Sequence, residues 1–506
     1  MVPSRVLGTI GTLLLLGGCA MHPGAPPATV RTPPRWENGA APVSASATIE
    51  ERWWSRLGDP VIDQLIDAAL SDNPTLAEAL ARVDQARATL DAGRAARLPR
   101  ADVSGAASYG QQNLGTAGGV NTVGAATASI SPSLSWELDL WGRVRKTARA
   151  AQSRLDARDA DARDARLSIA AQLAAGVLRL RACNYSLGAR RADIASRSTE
   201  LELMRTRLSF GAVAPVDVAS ARSNLASAEI DRISQQEQCT REVDALVAIS
   251  GVDAATIRAL LPDPSASDGG STIVPQEEGE GDLAGIIPAA PPMRPVLPAT
   301  VLLHHPSVVA AEREANARWS EIGVAQAERM PRIDLVAILT GQWLRALGTT
   351  SSFATWSAGP QLSGTVFDGG AGAANVRNAE ARYREAVATL EGAVRTAVQG
   401  IEDGLAAQQS AEQRLARSRE ALTAARLALN ANQARWRAGA IDLFELEASR
   451  RQFNQAQESA IAAARDHAEA WVELVRASGN AFDLASAVPD GQPPLALSAA
   501  LANHPQ

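Results

Sequence analysis

Apolar residues recur at every seventh position along two stretches of the chain. The first runs Leu173, Leu180, Leu187, Ile194, Leu201, Leu208; the second runs Val387, Val394, Ile401, Gln408, Leu415, Leu422, Leu429, Trp436. A strict seven-residue repeat keeps one seam turned toward a neighbouring helix, so both stretches predict long paired helices. No proline interrupts the chain between Pro132 and Pro215, or between Pro360 and Pro489. A helix from about Lys146 to Phe210 would be ~100 Å long at ~1.5 Å per residue, and compact globular domains rarely contain one.

A second period, of two, lies ahead of each ladder. Ala126, Ala128, Ile130, Pro132, Leu134 and Trp136 alternate with Thr127, Ser129, Ser131, Ser133 and Ser135. Ala354, Trp356, Ala358, Pro360 and Leu362 alternate in the same way with Thr355, Ser357 and Gln361. This alternation predicts strands with one apolar and one polar face. Partner strands fall at about Ala101–Gln111 and Arg332–Trp343. The lengths suit a tilted membrane strand of about 9–11 residues; an ordinary half-buried sheet would alternate as well.

The two ladders and the two strand pairs are copies of one another. Asn73-Pro74-Thr75-Leu76 corresponds to His305-Pro306-Ser307-Val308, and Leu98-Pro99-Arg100 to Met330-Pro331-Arg332, both at an offset of 232 (306 − 74, 331 − 99). Beyond the strands the offset is 228: Gly142 pairs with Gly370 (370 − 142), Phe210-Gly211-Ala212 with Ala438-Gly439-Ala440, Asp217 with Glu445, Arg222 with Arg450. Two repeats, 49–261 and 299–488, flank a segment at 262–298 rich in Pro, Gly and acidic residues, and a tail follows at 489–506.

Composition sharpens this picture. Apolar residues make up 46% of the 506, but aromatics only 4%, so Ala, Leu and Val dominate, as long helices require. Lys and Arg number 49 against 55 Asp and Glu, with no basic block, which argues against a nucleic-acid partner. The amino terminus carries a signal: Arg5, an apolar run Val6–Leu16, then Leu16-Gly17-Gly18-Cys19. The run is too short to span a bilayer and reads as a secretory signal at 1–18. Its end resembles a bacterial lipobox, which implies cleavage before Cys19 and covalent lipid on that thiol. Ala20 stands where Asp would favour the inner membrane, so the resemblance points to the outer one. Residues 19–48, rich in Pro, Ala, Thr and Ser, read as a lipid-anchored tether.

Four strands cannot close a barrel, and an open sheet edge has no hydrogen-bond partners in lipid. If the strands span a membrane, several chains must share one barrel. Three chains give 12 strands, within the usual even range; two would give only eight, too narrow for a duct. Trp136-Glu137-Leu138-Asp139-Leu140-Trp141-Gly142-Arg143 and Val366-Phe367-Asp368-Gly369-Gly370 resemble the two strand-to-helix junctions of the outer-membrane efflux factor family, TolC type, in its lipoprotein branch. Gly211 to Asp217 and Gly439 to Glu445 resemble that family's two helical turns, and the resemblance covers nearly the whole chain after Cys19.

The resemblance implies an α+β membrane protein: a homotrimer with a 12-stranded β-barrel in outer-membrane lipid, continued by a long α-helical barrel. It implies an exit duct for small molecules, loaded by a periplasmic adaptor and an inner-membrane transporter. The turns Gly211, Asp217, Gly439 and Glu445 would meet the adaptor. Acidic residues after the second turn ring the closed mouth in the family. Glu445 matches one such position; the second, three residues on, is Ala448, and Phe444 is a candidate apolar constriction instead. A type I protein-secretion duct and a structural coiled-coil lipoprotein are the other readings.

Cys183 and Cys239 remain. Each lies 28 residues from Gly211, one on either side (211 − 183, 239 − 211). In an antiparallel hairpin they would share one height, so a disulfide is expected, with two free buried thiols as the alternative. No nucleotide loop, metal-binding or nucleophile motif occurs, and His304-His305 reads as a helix start. No enzyme activity, cofactor or metal is expected.

Overall fold

The computed structural model describes residues 32–38, 48–116, 119–263, 287–292, 298–346 and 348–482, with the side chains of 48–49, 112–123 and 482 outside that description. Cys19, the signal, the tail and most of the tether and inter-repeat segment lie outside the described residues.

In chain order the elements are β1 (Thr48–Ile49), α1 (Pro60–Asp72), α2 (Pro74–Ala95), β2 (Arg100–Thr116), β3 (Gly119–Glu137), α3 (Arg143–Ser209), α4 (Pro215–Ser250) and α5 (Ala254–Leu260). The second half gives α6 (Pro298–His304), α7 (Pro306–Ala327), β4 (Arg332–Ala346), β5 (Thr349–Ser363), α8 (Ala371–Arg437), α9 (Leu443–Ala477) and β6 (Ala481–Phe482). The repeat preserves helix length at two pairs: α2 and α7 have 22 residues each, α3 and α8 67 each. The starts are encoded locally. Asn73 Oδ1 accepts the N–H groups of Thr75 and Leu76 at 2.9 and 3.2 Å, with Pro74 at the first helical position, where a missing N–H costs nothing. Pro306 repeats the proline after His305, whose side chain makes no cap.

Two compact units cut across the repeats, each taking matching parts of both. The first holds residues 69–169 and 303–398. It contains the sheet, in order β2-β3-β4-β5, antiparallel throughout. Here Ala79, Val83 and Leu90 of α2 bury against Ala151, Leu155 and Ala162 of α3. Arg154 of α3 joins Glu314 and Glu321 of α7. The strands outrun the alternation that predicted them: β3 has 19 residues. Backbone ladder bonds continue past Gln111 although the side-chain pattern fades there.

The second unit holds residues 33–68, 170–302 and 399–506, of which the described part is mainly helical, with β1 and β6 paired antiparallel. Much of the heptad seams lies in its interior: Leu173 and Ile401, equivalent at offset 228, are both fully buried, whereas Trp436 at the end of the second seam is exposed. Close crossings are also duplicated. A Cβ on Gly176 would sit 2.8 Å from Leu246 Cδ2, and one on Gly404 would sit 2.9 Å from Leu474 Cδ1. Gln408, the polar member of the second seam, is hydrogen-bonded to His467 at 3.2 Å. Arg181 forks onto Asp59 at 2.8 and 2.9 Å, and Trp53 packs on Trp54 and Trp471 with ring centroids 5.8 and 5.7 Å apart. Glu402 of α8 accepts the backbone N–H groups of Glu37 and Asn38 at 2.8 and 2.9 Å. That carboxylate holds the backbone of residues 37 and 38 against α8.

Candidate duct-forming surfaces

On β3 the apolar face is the more exposed of the two, the reverse of a half-buried strand in a water-soluble protein. On β3, Ile130 is 47% exposed and Leu134 45%, while Ser129, Ser131, Ser133 and Ser135 on the other face are half-buried. The strand register extends the apolar face sideways. Val103 lies opposite Pro132, Leu335 opposite Trp136 and Pro360, and Trp356 opposite Leu339. Val103, Trp356 and Leu362 are all well exposed. The hydroxyl face bonds within itself: Ser108 to Thr127 at 2.7 Å, Ser131 Oγ to Thr340 Oγ1 at 3.1 Å. Apolar-out and polar-in is the arrangement of a strand set facing lipid on one side and water on the other. Trp136 and the level of Tyr109, opposite Ala126, are ten residues apart on β3 (136 − 126). At ~3.4 Å per residue and a tilt of ~40° this is ~26 Å of height, matching an apolar band of about 25 Å. β2 and β5 end the sheet, and among the described residues neither has a strand on its outer side.

Each strand-to-helix junction is closed by an aspartate. Asp139 accepts the N–H groups of Val144 and Arg145 at 3.0 and 2.9 Å. Asp368 accepts those of Gly372 and Gly370 at 2.6 and 2.7 Å, and these two bonds hold its carboxyl below the ordinary carboxylate range. Lys146, the chain's single lysine, donates to the carbonyls of Trp141 and Gly323, both at 3.3 Å.

The helical turns share one geometry. Gly211 has φ +71° and Gly439 +72°. In each the following alanine donates back over five residues: Ala212 to Arg207 O at 2.9 Å, Ala440 to Arg435 O at 2.8 Å. This is the Schellman closure, which demands a left-handed residue after the helix. Asp217 and Glu445, equivalent in sequence, act differently. Asp217 Oδ2 accepts the Ala214 N–H at 2.9 Å. Glu445 is bound by Arg435 at 3.0 Å, and its own N–H is capped by Asp442. Phe444 lies under the Arg207 guanidinium, 4.8 Å from the ring centroid.

The sequence reading missed the buried carboxylate beside this turn. It looked to Ala448 for a second acid; Glu447, one residue earlier, is fully buried and takes hydrogen bonds from Ser196 of α3 and from Arg450. Arg451 bonds Glu200 at 2.6 Å, one turn further along both helices. Cys183 and Cys239 are joined in a disulfide with Cα atoms 5.6 Å apart, which fixes α3 to α4. Among the described residues no group of His, Cys, Asp and Glu could hold a metal, and no helix is long and apolar enough to cross a membrane.

Known proteins share this architecture. Nodulation protein T of Rhizobium leguminosarum bv. viciae is 28% identical over 467 residues, covering 91% of this chain and 90% of that one. Outer membrane protein OprJ of Pseudomonas aeruginosa is 27% identical over 481 residues, covering 93% and 94%. The solved structure of the outer-membrane channel OprN superposes with a TM-score of 0.74 at 23% identity, over 91% of this chain and 99% of that one. The family model described as outer membrane efflux protein matches residues 65–252 and 297–480, one match per repeat and together well over half the length, so the chain belongs to the outer membrane efflux protein family.

Proposed function

We propose that the chain trimerises into the exit duct of a tripartite efflux system, passing small molecules across the outer membrane. The observation that carries this is the sheet with an outward apolar face and two bare edges. Bare edges are intolerable in lipid. Joining β5 of one copy to β2 of the next removes all of them at three copies, in a barrel of 12 strands. The serine and threonine face would then line water. The paired hairpins would continue the duct as a helical barrel.

The remaining assignments follow from this reading. The turns at Gly211–Asp217 and Gly439–Glu445 meet a periplasmic adaptor, which couples the duct to an inner-membrane transporter. Phe444 and Glu445 narrow the mouth, held by Arg207 and Arg435 respectively. Covalent lipid on Cys19 anchors the tether. A type I secretion duct would share the barrel; the efflux description of the matched family favours small molecules. A purely structural coiled coil gives no role to an exposed apolar strand face.

The test is native mass spectrometry of the protein in mild detergent, paired with conductance in planar bilayers. A trimer that conducts is expected. A well-folded monomer without conductance overturns the reading. Mass spectrometry of the mature amino terminus tests the lipid: an unmodified residue other than Cys19 removes the anchor.

A further inference from the structure

The two helix-to-strand corners repeat one motif: Arg97-Leu98-Pro99-Arg100-Ala101-Asp102 and Arg329-Met330-Pro331-Arg332-Ile333-Asp334. In both, the second arginine is neutralised on its own strand, Arg100 by Asp102 at 2.9 Å and Arg332 by Asp334 at 2.9 Å. The first arginine is treated differently. Arg97 and Arg329 are exposed, and among the described residues no carboxylate lies within ion-pair distance of either guanidinium. Arg329 feels Asp368, but that carboxylate is already engaged by two backbone N–H groups.

Each corner is also braced by an indole. Trp136 Nε1 donates to Arg97 O at 3.0 Å, and Trp141 Nε1 donates to Pro331 O at 2.7 Å. Tryptophan with its apolar body outward and its N–H satisfied is characteristic of a membrane–water boundary. Beside Arg97, Leu98 is 66% exposed. A cation at a helix C-terminus is favourable by itself, which accounts for an arginine at the end of α2. It accounts equally for Arg329 at the end of α7, but not for the exposed leucine beside Arg97.

We propose that these corners form a rim that binds the phosphate of anionic phospholipids in the periplasmic leaflet, with Arg97 and Arg329 as the phosphate ligands and Leu98 and Trp136 against the acyl chains. The guanidinium fork matches phosphate geometry. Three chains would place six such corners around the barrel. The proposal rests on the membrane reading of the sheet.

The experiment uses the full protein in vesicles of phosphatidylcholine alone or with phosphatidylglycerol. Flotation is measured first, then lipid retained on the extracted protein by native mass spectrometry. The parent is expected to float with both vesicles and to retain phosphatidylglycerol preferentially. Combining Arg97→Gln with Arg329→Gln should lower that preference about fivefold per arginine, whereas Arg→Lys at both positions should keep most of it. In the parent, raising salt should weaken the preference without any substitution. Equal retention of both lipids by the parent, or salt-independent retention, overturns the proposal. So does displacement of the lipid by inorganic phosphate, which would mark a free-phosphate site. Failure of the parent to float with either vesicle overturns the membrane reading itself and is told apart from these.

Discussion

Cys239 and His467 hold equivalent places in the two helical hairpins: each lies 28 residues past the glycine that reverses its hairpin (239 − 211, 467 − 439). In the first hairpin that level carries a covalent bond to Cys183. In the second, Ala411 stands opposite in place of a cysteine, and His467 instead meets Gln408 at 3.2 Å. The duplicated halves therefore differ in how firmly their arms are joined, ~42 Å from each tip at ~1.5 Å per residue.

Replacing both cysteines, Cys183→Ser with Cys239→Ser, should lower stability by about 4 kcal/mol from chain entropy alone. Chemical denaturation followed by helical circular dichroism measures it. An unchanged midpoint, or two reactive thiols in the denatured unreduced parent, would show that the clip contributes nothing.

At the tips, Gly211→Ala and Gly439→Ala meet no neighbouring atom within 4 Å. The cost is therefore conformational only, ~1–2 kcal/mol each for a left-handed residue with a Cβ. Asn at either site should cost less, since it tolerates that region. If alanine and asparagine were equally well tolerated in thermal unfolding, the left-handed closure would not be what glycine supplies.

Higher in the hairpin the constraint is space. Gly404→Val would push against Leu474, with a Cβ only 2.9 Å from Cδ1 and 3.4 Å from Cα. Overpacking of this kind costs ~1–3 kcal/mol. Gly392→Val, where a Cβ meets nothing within 4 Å, is the control for valine in a helix; equal losses at both sites would remove the packing explanation.

Acidity should act through α9 with opposing signs. Burial raises the carboxyls of Glu458 and Glu469 above their ordinary 4.5. Their stabilising contribution is complete below 4.5 and is lost as pH rises through the raised folded values. Burial lowers His467 below its ordinary 6.5, so its contribution is present above 6.5 and is lost as pH falls through the lowered value. Glu458→Gln with Glu469→Gln should therefore make the protein more acid-sensitive than the parent, and His467→Gln less. Thermal midpoints recorded from neutral pH down to about 5 decide this; parallel curves for all three proteins would exclude it.

What the sequence disclosed was local and periodic. The heptad ladders located α3 and α8, the alternation located β3 and β5, and the paired prolines aligned the two repeats at what prove to be the starts of α2 and α7. Distance along the chain hid the rest. Ser196 and Glu447 are 251 residues apart, and no period links them. Glu402 gives no sign in its own helix that it holds the backbone of residues 37 and 38. Equivalence also misled: Asp217 and Glu445 align, yet one caps a backbone and the other answers Arg435, because the neighbouring cap residue is Ala214 in one turn and Asp442 in the other.

The disulfide also orders events in time. An exported chain emerges amino end first, and Cys239 precedes the first residue of α9, Leu443, by 204 positions (443 − 239). The first hairpin can be sealed in the oxidising compartment while the second is still unmade. The later half then meets a finished template, and Ser196 and Glu200 on α3 already stand where Glu447 and Arg451 must dock. Biogenesis would thus run in one direction, from a hairpin that is locked early to one that is recruited onto it.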